Sequence, residues 1–208
     1  MLAGTLRGRW IVLGVLAASL FYNRAQAAVA FDVNQTCDRE MVRASKKHNV
    51  PLGVLYAVGL TETGAGGSLQ PFALNIGGRA QFPATMQEGI RLIHDAQRAG
   101  ITLIDVGCMQ INLRYHRNRF PTLEAMFDAA SNVDYGARFL SRLRAREANW
   151  TNAVARYHAG PNNERAQKRY VCAVIRNMVL AGVGGWTSAA RELCGNKKTQ
   201  SNKTHQLR

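Results

Sequence analysis

Residues 54–66 read VLYAVGLTETGAG: apolar almost throughout, then a single carboxylate, Glu62, with glycine two positions later. Pro51 suits the first position of a helix, because its missing N–H costs nothing there. Leu52, Val54, Leu55, Ala57, Val58 and Leu60 fall all round the helical circumference, so the spacing predicts a helix buried on most sides. Gly64 is its expected stop. Glu62 lies in the last turn, where the helix dipole opposes its charged form and apolar neighbours add a desolvation cost. Both effects favour the protonated form that a general acid requires, and Gly64 to Gly67 let the backbone turn away and clear space for a ligand.

The flanking sequence is mainly helical. One helix is expected from Thr36 or Asp38 to Lys47, with Met41, Val42 and Ala44 inward. Between Gly66 and Ile104 the pattern is less regular, and Gly77-Gly78 inside PFALNIGGRAQF reads as a short hairpin. Pro83 to Ala99 returns to helical spacing and Pro121 to Asp128 makes a short helix. Ser131 with Asp134 resembles a capping box, and Thr151 is placed to cap TNAVARYHA. A last long helix is expected from Asn163 to Leu180, with Tyr170, Val171 and Val174 on its buried face. No other strand set is evident, so the expected class is mainly α with a small β hairpin insertion.

The first residues differ from this domain. Arg7 and Arg9 precede the apolar run Trp10 to Tyr22, and Ala25-Gln26-Ala27 fits a cleavage site, the pattern of a secretory signal peptide over residues 1–27. The run is shorter than the ~18 to 20 apolar residues of a bilayer span, so no stable membrane span is expected after cleavage. The domain is assigned to 28–194 and a basic, disordered tail to 195–208. Export makes Cys37, Cys108, Cys172 and Cys194 candidates for disulfides; sequence does not choose among their pairings, and Cys108 also reads as a buried free thiol. The net charge of +14 among 208 residues favours an anionic partner. Nucleic acid is not expected, given export and a basic tail without interleaved aromatics.

Three segments carry a resemblance. TETG at 61–64, DVGCMQINLRYH at 105–116 and AVARYHAGPNN at 153–163 resemble, in order, the signatures of the SLT-type lytic transglycosylases, which have a goose-type lysozyme fold. Glu62 matches the catalytic acid and base, Gln110 the glutamine of the second motif beside Met109, and Tyr157 the tyrosine of the third. Thr63 stands for serine, Cys108 for leucine and His158 for asparagine. The resemblance implies a lysozyme-like helical domain with Glu62 catalytic and Thr63, Asn75, Met109, Gln110, Asn112, Tyr157 and His158 contacting substrate; Gln70 is a further candidate. It implies cleavage of the MurNAc-β-1,4-GlcNAc bond of peptidoglycan glycan strands with a 1,6-anhydromuramyl product, and no cofactor or metal.

Hydrolysis as a muramidase would ordinarily need a second carboxylate. Asp105 is the best candidate, although its position before the glycine motif favours fixing a turn or capping a helix. A non-catalytic peptidoglycan-binding component of a secretion apparatus is the alternative of another class. The form of the second and third motifs is closest to exported, periplasmic members that accompany secretion, conjugation or flagellar systems.

Overall fold

A computed structural model describes residues 36–63 and 67–195. The expected leader, the Gly64 stop and most of the basic tail lie outside the described residues. Helices α1 (Thr36–His48) and α2 (Leu52–Thr63) match the expected boundaries closely. Leu55 to Leu60 are all buried, as the all-round apolar pattern of α2 requires. The hairpin forms at the expected place, β1 (Leu74–Ile76) pairing antiparallel with β2 (Arg79–Gln81). Next come α3 (Met86–Arg98), capped by Thr85, and then β3 (Ile104–Val106) and β4 (Ile111–Asn112).

These last two strands enlarge the expected hairpin to a four-stranded sheet of order β2-β1-β3-β4. Its register explains its two faces. Leu74, Val106 and Ile111 are aligned across three strands and buried, whereas the neighbouring row Asn75, Asp105 and Asn112 points the other way. One face therefore closes the core and the other is free for polar work.

Beyond the sheet lie α4 (Leu113–His116), a 3₁₀ turn at Arg117–Arg119, α5 (Leu123–Phe127), α6 (Ala129–Arg146), α7 (Trp150–Ala159), α8 (Glu164–Leu180) and α9 (Ser188–Cys194). Two caps differ from expectation. Asp128, not Ser131, caps α6 by accepting from the Ser131 N–H, since Ala129-Ala130 extend the helix one turn earlier. Asp134 is instead bound by Lys47 and His48 of α1. Likewise Asn149, not Thr151, caps α7 through the Asn152 N–H.

Helix α1 packs on α6, α2 on α8, and α7 against both α6 and α8. The four cysteines pair as Cys37–Cys108, tying α1 to the β3–β4 turn, and Cys172–Cys194, tying α8 to α9. Cys108 is thus buried, as expected, but is not a free thiol. No described helix is long and apolar enough to cross a membrane.

Candidate active site

Packing of α2 on α8 sets Glu62 beside Tyr170. The glutamate side chain is only 15% exposed, and the Tyr170 hydroxyl donates a 2.6 Å hydrogen bond to its Oε1. His158, from the last turn of α7, brings Nδ1 to 3.8 Å from the same oxygen, too far for a hydrogen bond but within range of charge pairing. Its ring stacks on that of Tyr170, with centroids 4.3 Å apart and 3° between the planes. Interaction with the Glu62 side chain raises the imidazole pKa above its ordinary 6.5, against the opposing effect of burial. Burial, and then the nearby Glu62 charge, push the Tyr157 and Tyr170 phenols well above their ordinary value. Both therefore remain neutral hydrogen-bond donors.

A cleft of about 290 Å³ opens at this carboxylate. Glu62, Tyr157 and His158 line it from the helices, and Asn75, Asp105 and Asn112 line it from the polar face of the sheet. Burial is the main cause that raises the Asp105 carboxyl above its ordinary range, and the Glu62 charge acts in the same direction; the hydrogen bond from Asn112 opposes them. That bond, Asn112 Nδ2 to Asp105 Oδ1, is 2.7 Å long. Asp105 neither turns the chain nor caps a helix, contrary to its sequence reading: it sits in the middle of β3, and Asn112 is the cap of α4. Asn75 Oδ1 accepts from Gly78 N–H and so also closes the β1–β2 turn.

The Gly107–Gln110 turn joins β3 to β4. Gly107 and Gln110 both have positive φ, 78° and 44°. The strained glutamine is held because its Nε2 donates to the carbonyls of Ala73 and Gly107, at 3.0 and 3.1 Å. These bonds occupy its amide nitrogen, while the side chain still lines the cleft. Tyr157 secures the same turn by donating to the Met109 carbonyl at 3.0 Å.

Two expected contacts face elsewhere. Thr63 is buried and its hydroxyl donates to Gly59 O within α2, so it does not line the cleft. Met109 is fully buried against Gly136, where an added Cβ would lie 2.8 Å from Met109 Cγ. Its side chain is packing and its backbone is what the site uses. Gln70 is not among the residues lining the cleft, and its Nε2 donates to Ser68 Oγ.

The sequence reading did not single out Tyr115, His116 and Phe139, which also line the cleft, nor two residues that support it. Tyr170 occupies a core position in the periodicity of α8, and only its hydroxyl among aliphatic neighbours hinted at a polar partner. Asn132 is wholly buried in α6; its Nδ2 donates to Val106 and Met126 carbonyls and its Oδ1 accepts from Met109 N–H. It anchors the turn from beneath.

No curated protein and no solved structure matched the sequence. The family model described as the Transglycosylase SLT domain matches residues 41–177, a span that runs from α1 through α8 and contains Glu62, the sheet, the Gly107–Gln110 turn, His158 and Tyr170. With about two thirds of its length inside that match, the chain belongs to the SLT transglycosylase family, whose members are lytic transglycosylases acting on peptidoglycan.

Proposed function

We propose that the protein cleaves the MurNAc-β-1,4-GlcNAc bond of peptidoglycan and closes a 1,6-anhydromuramyl ring, with Glu62 as acid and then base. The observation that carries this reading is the setting of Glu62: a mostly buried carboxyl at a cleft, oriented by Tyr170 through one oxygen. In the first half of the reaction Glu62 gives its proton to the glycosidic oxygen as the C1–O bond breaks and positive charge develops at the anomeric carbon. The substrate N-acetyl group can share that charge. The Glu62 carboxylate then takes the proton of the muramyl C6 hydroxyl while that oxygen bonds to C1. Glu62 ends the cycle protonated and no water is consumed.

The Tyr170 hydroxyl stabilises the carboxylate formed midway, when a charged acceptor strengthens the bond. His158 adds a cation near the same oxygen when protonated. Asn75 Nδ2 and Gln110 Oε1 are the amide atoms left for the sugar, since Asn75 Oδ1 and Gln110 Nε2 are engaged and Asn112 is bound to Asp105 and Tyr115. Tyr157 contributes by holding the turn that carries Gln110. Asp105 supports a second reading, hydrolysis, because it lines the same cleft as Glu62. Its bond to Asn112 engages one carboxylate oxygen and argues against a nucleophile.

Digestion of purified sacculi with mass spectrometry of the released muropeptides tests the assignment. Anhydromuramyl ends are expected; reducing ends would assign hydrolysis, and no release above the Glu62→Gln background would leave a peptidoglycan-binding protein. The signal-peptide pattern read in residues 1–27 supports action in the periplasm. The form of the second and third motifs supports service to a secretion, conjugation or flagellar system.

A further inference from the structure

A second groove continues the cleft. It has a volume of about 510 Å³ and shares Tyr115, His116 and Phe139 with the first, then runs along α6 past Tyr135 to Arg142 and Arg146, with Arg119 on its other side. The sequence builds it from one helical stripe. Tyr135, Phe139, Arg142 and Arg146 recur at helical spacing, so they share a face of α6, aromatic in its first half and cationic in its second.

The aromatic half is a continuous ladder. Tyr157 of the cleft lies 5.5 Å from Phe139, Phe139 lies 5.4 Å from His116, and His116 lies 5.5 Å from Tyr135, centroid to centroid. The Tyr135 hydroxyl and His116 Nδ1 are joined at 2.8 Å. Burial, followed by Arg119 and Arg142, lowers the His116 pKa, so the imidazole stays neutral and the groove's positive charge comes from its arginines.

Among the described residues, no carboxylate lies within salt-bridge distance of Arg119, Arg142 or Arg146, a state they share with several other surface arginines; what sets these three apart is that they line one groove continuous with the cleft. All three groove arginines are exposed. In a peptide-bearing strand the lactyl carboxyl is taken up as an amide and the acidic groups lie along the stem peptide, so a stem that continues from the cleft into this groove would set its carboxylates beside the arginines of α6.

Resting on the function proposed above, we infer that this groove binds the stem-peptide carboxylates of the substrate, through Arg119, Arg142 and Arg146, and makes the enzyme prefer peptide-bearing glycan to stripped strands. The Tyr115 ring, 65% exposed at the junction, offers an apolar surface to the sugar or the peptide stem.

The test compares kcat/KM on glycan strands that keep their stem peptides and on strands of equal length from which an amidase has removed them. Wild type is expected to favour the peptide-bearing strands about tenfold, and an Arg142→Ser, Arg146→Ser double variant to lose most of that preference. The double variant should turn over stripped strands at the wild-type rate. Equal rates on both substrates by wild type, or an undiminished preference in the variant, would overturn the inference while leaving the catalytic assignment intact. Should wild type cleave neither substrate, the assignment fails instead, and co-sedimentation with the two kinds of strand still reads the groove: retention must favour the peptide-bearing strands and fall in the double variant.

Discussion

Tyr170 and Glu62, separated by 108 positions in the chain, are joined by a 2.6 Å hydrogen bond that points the catalytic candidate into its cleft. The bond fixes which carboxylate oxygen is engaged and so which is left to meet the substrate. It also explains why α8 must pack on α2 for the site to exist.

Tyr170→Phe removes that bond and keeps the ring on which His158 stacks. Hydrogen bonds to a charged acceptor are worth about 1.5–3 kcal/mol, so kcat on sacculi should fall roughly 10- to 100-fold with binding little changed. An unaltered kcat would show that the hydroxyl does not orient Glu62 during turnover.

His158→Asn restores the residue expected at this position of the third motif and removes a titratable cation. Because Glu62 raises the imidazole pKa above 6.5, the pairing is fully present below that value and is lost as pH rises through the folded-state pKa. Thermal melts should show wild type ahead of the variant near pH 6, with the gap closing toward pH 9. A gap independent of pH would assign His158 a packing role only.

Asp105→Asn separates the two chemistries. The raised carboxyl favours the fold at low pH and penalises it as pH rises through the folded pKa, so the amide should raise Tm at neutral pH relative to wild type and lose that advantage in acid. Its Oδ1 can still accept from Asn112. Anhydromuramyl products should persist; loss of all turnover in a folded variant would favour hydrolysis through Asp105.

Asn132→Ala strips the partners from Met109 N–H and from the Val106 and Met126 carbonyls in a fully buried site. Leaving such groups unsatisfied should cost about 3 kcal/mol or more in urea unfolding. Activity should fall further than stability at low temperature accounts for, because the turn carrying Gln110 is no longer held.

The two disulfides should contribute unequally. Cys37–Cys108 spans 71 positions and Cys172–Cys194 spans 22. Loop-closure entropy gives about 4 and about 3 kcal/mol respectively, so the serine pair at 37 and 108 should lower Tm more. Only that pair should also impair catalysis, since Cys108 adjoins the Met109–Gln110 turn.

Much of this could be read from residues alone. The buried helix, its terminal Glu62 and the Gly77-Gly78 hairpin followed from local pattern, and motif resemblance singled out Gln110 and Tyr157, which both line the cleft. Strands β3 and β4 were missed because two or three residues are too short to establish alternation, although I-D-V and I-N carry it in miniature. Tyr170 and Asn132 were missed for another reason. Their hydroxyl and amide matter only through partners far away in sequence, and a helical period places a side chain inside without saying what it meets there. Cysteine pairing is likewise a spatial fact, and the α6 cap moved because Asp128 and Ser131 offer competing local starts.

The sheet has a further consequence. Its core row, Leu74, Val106 and Ile111, and its cleft row, Asn75, Asp105 and Asn112, alternate along the same short strands yet face opposite ways. The polar row does double duty, because Asn75 also closes the β1–β2 turn and Asn112 caps α4 while bonding Asp105. Only Asp105 is without a backbone to hold, which makes the centre of the row the position where redesign can change the cleft wall at the least cost to the fold.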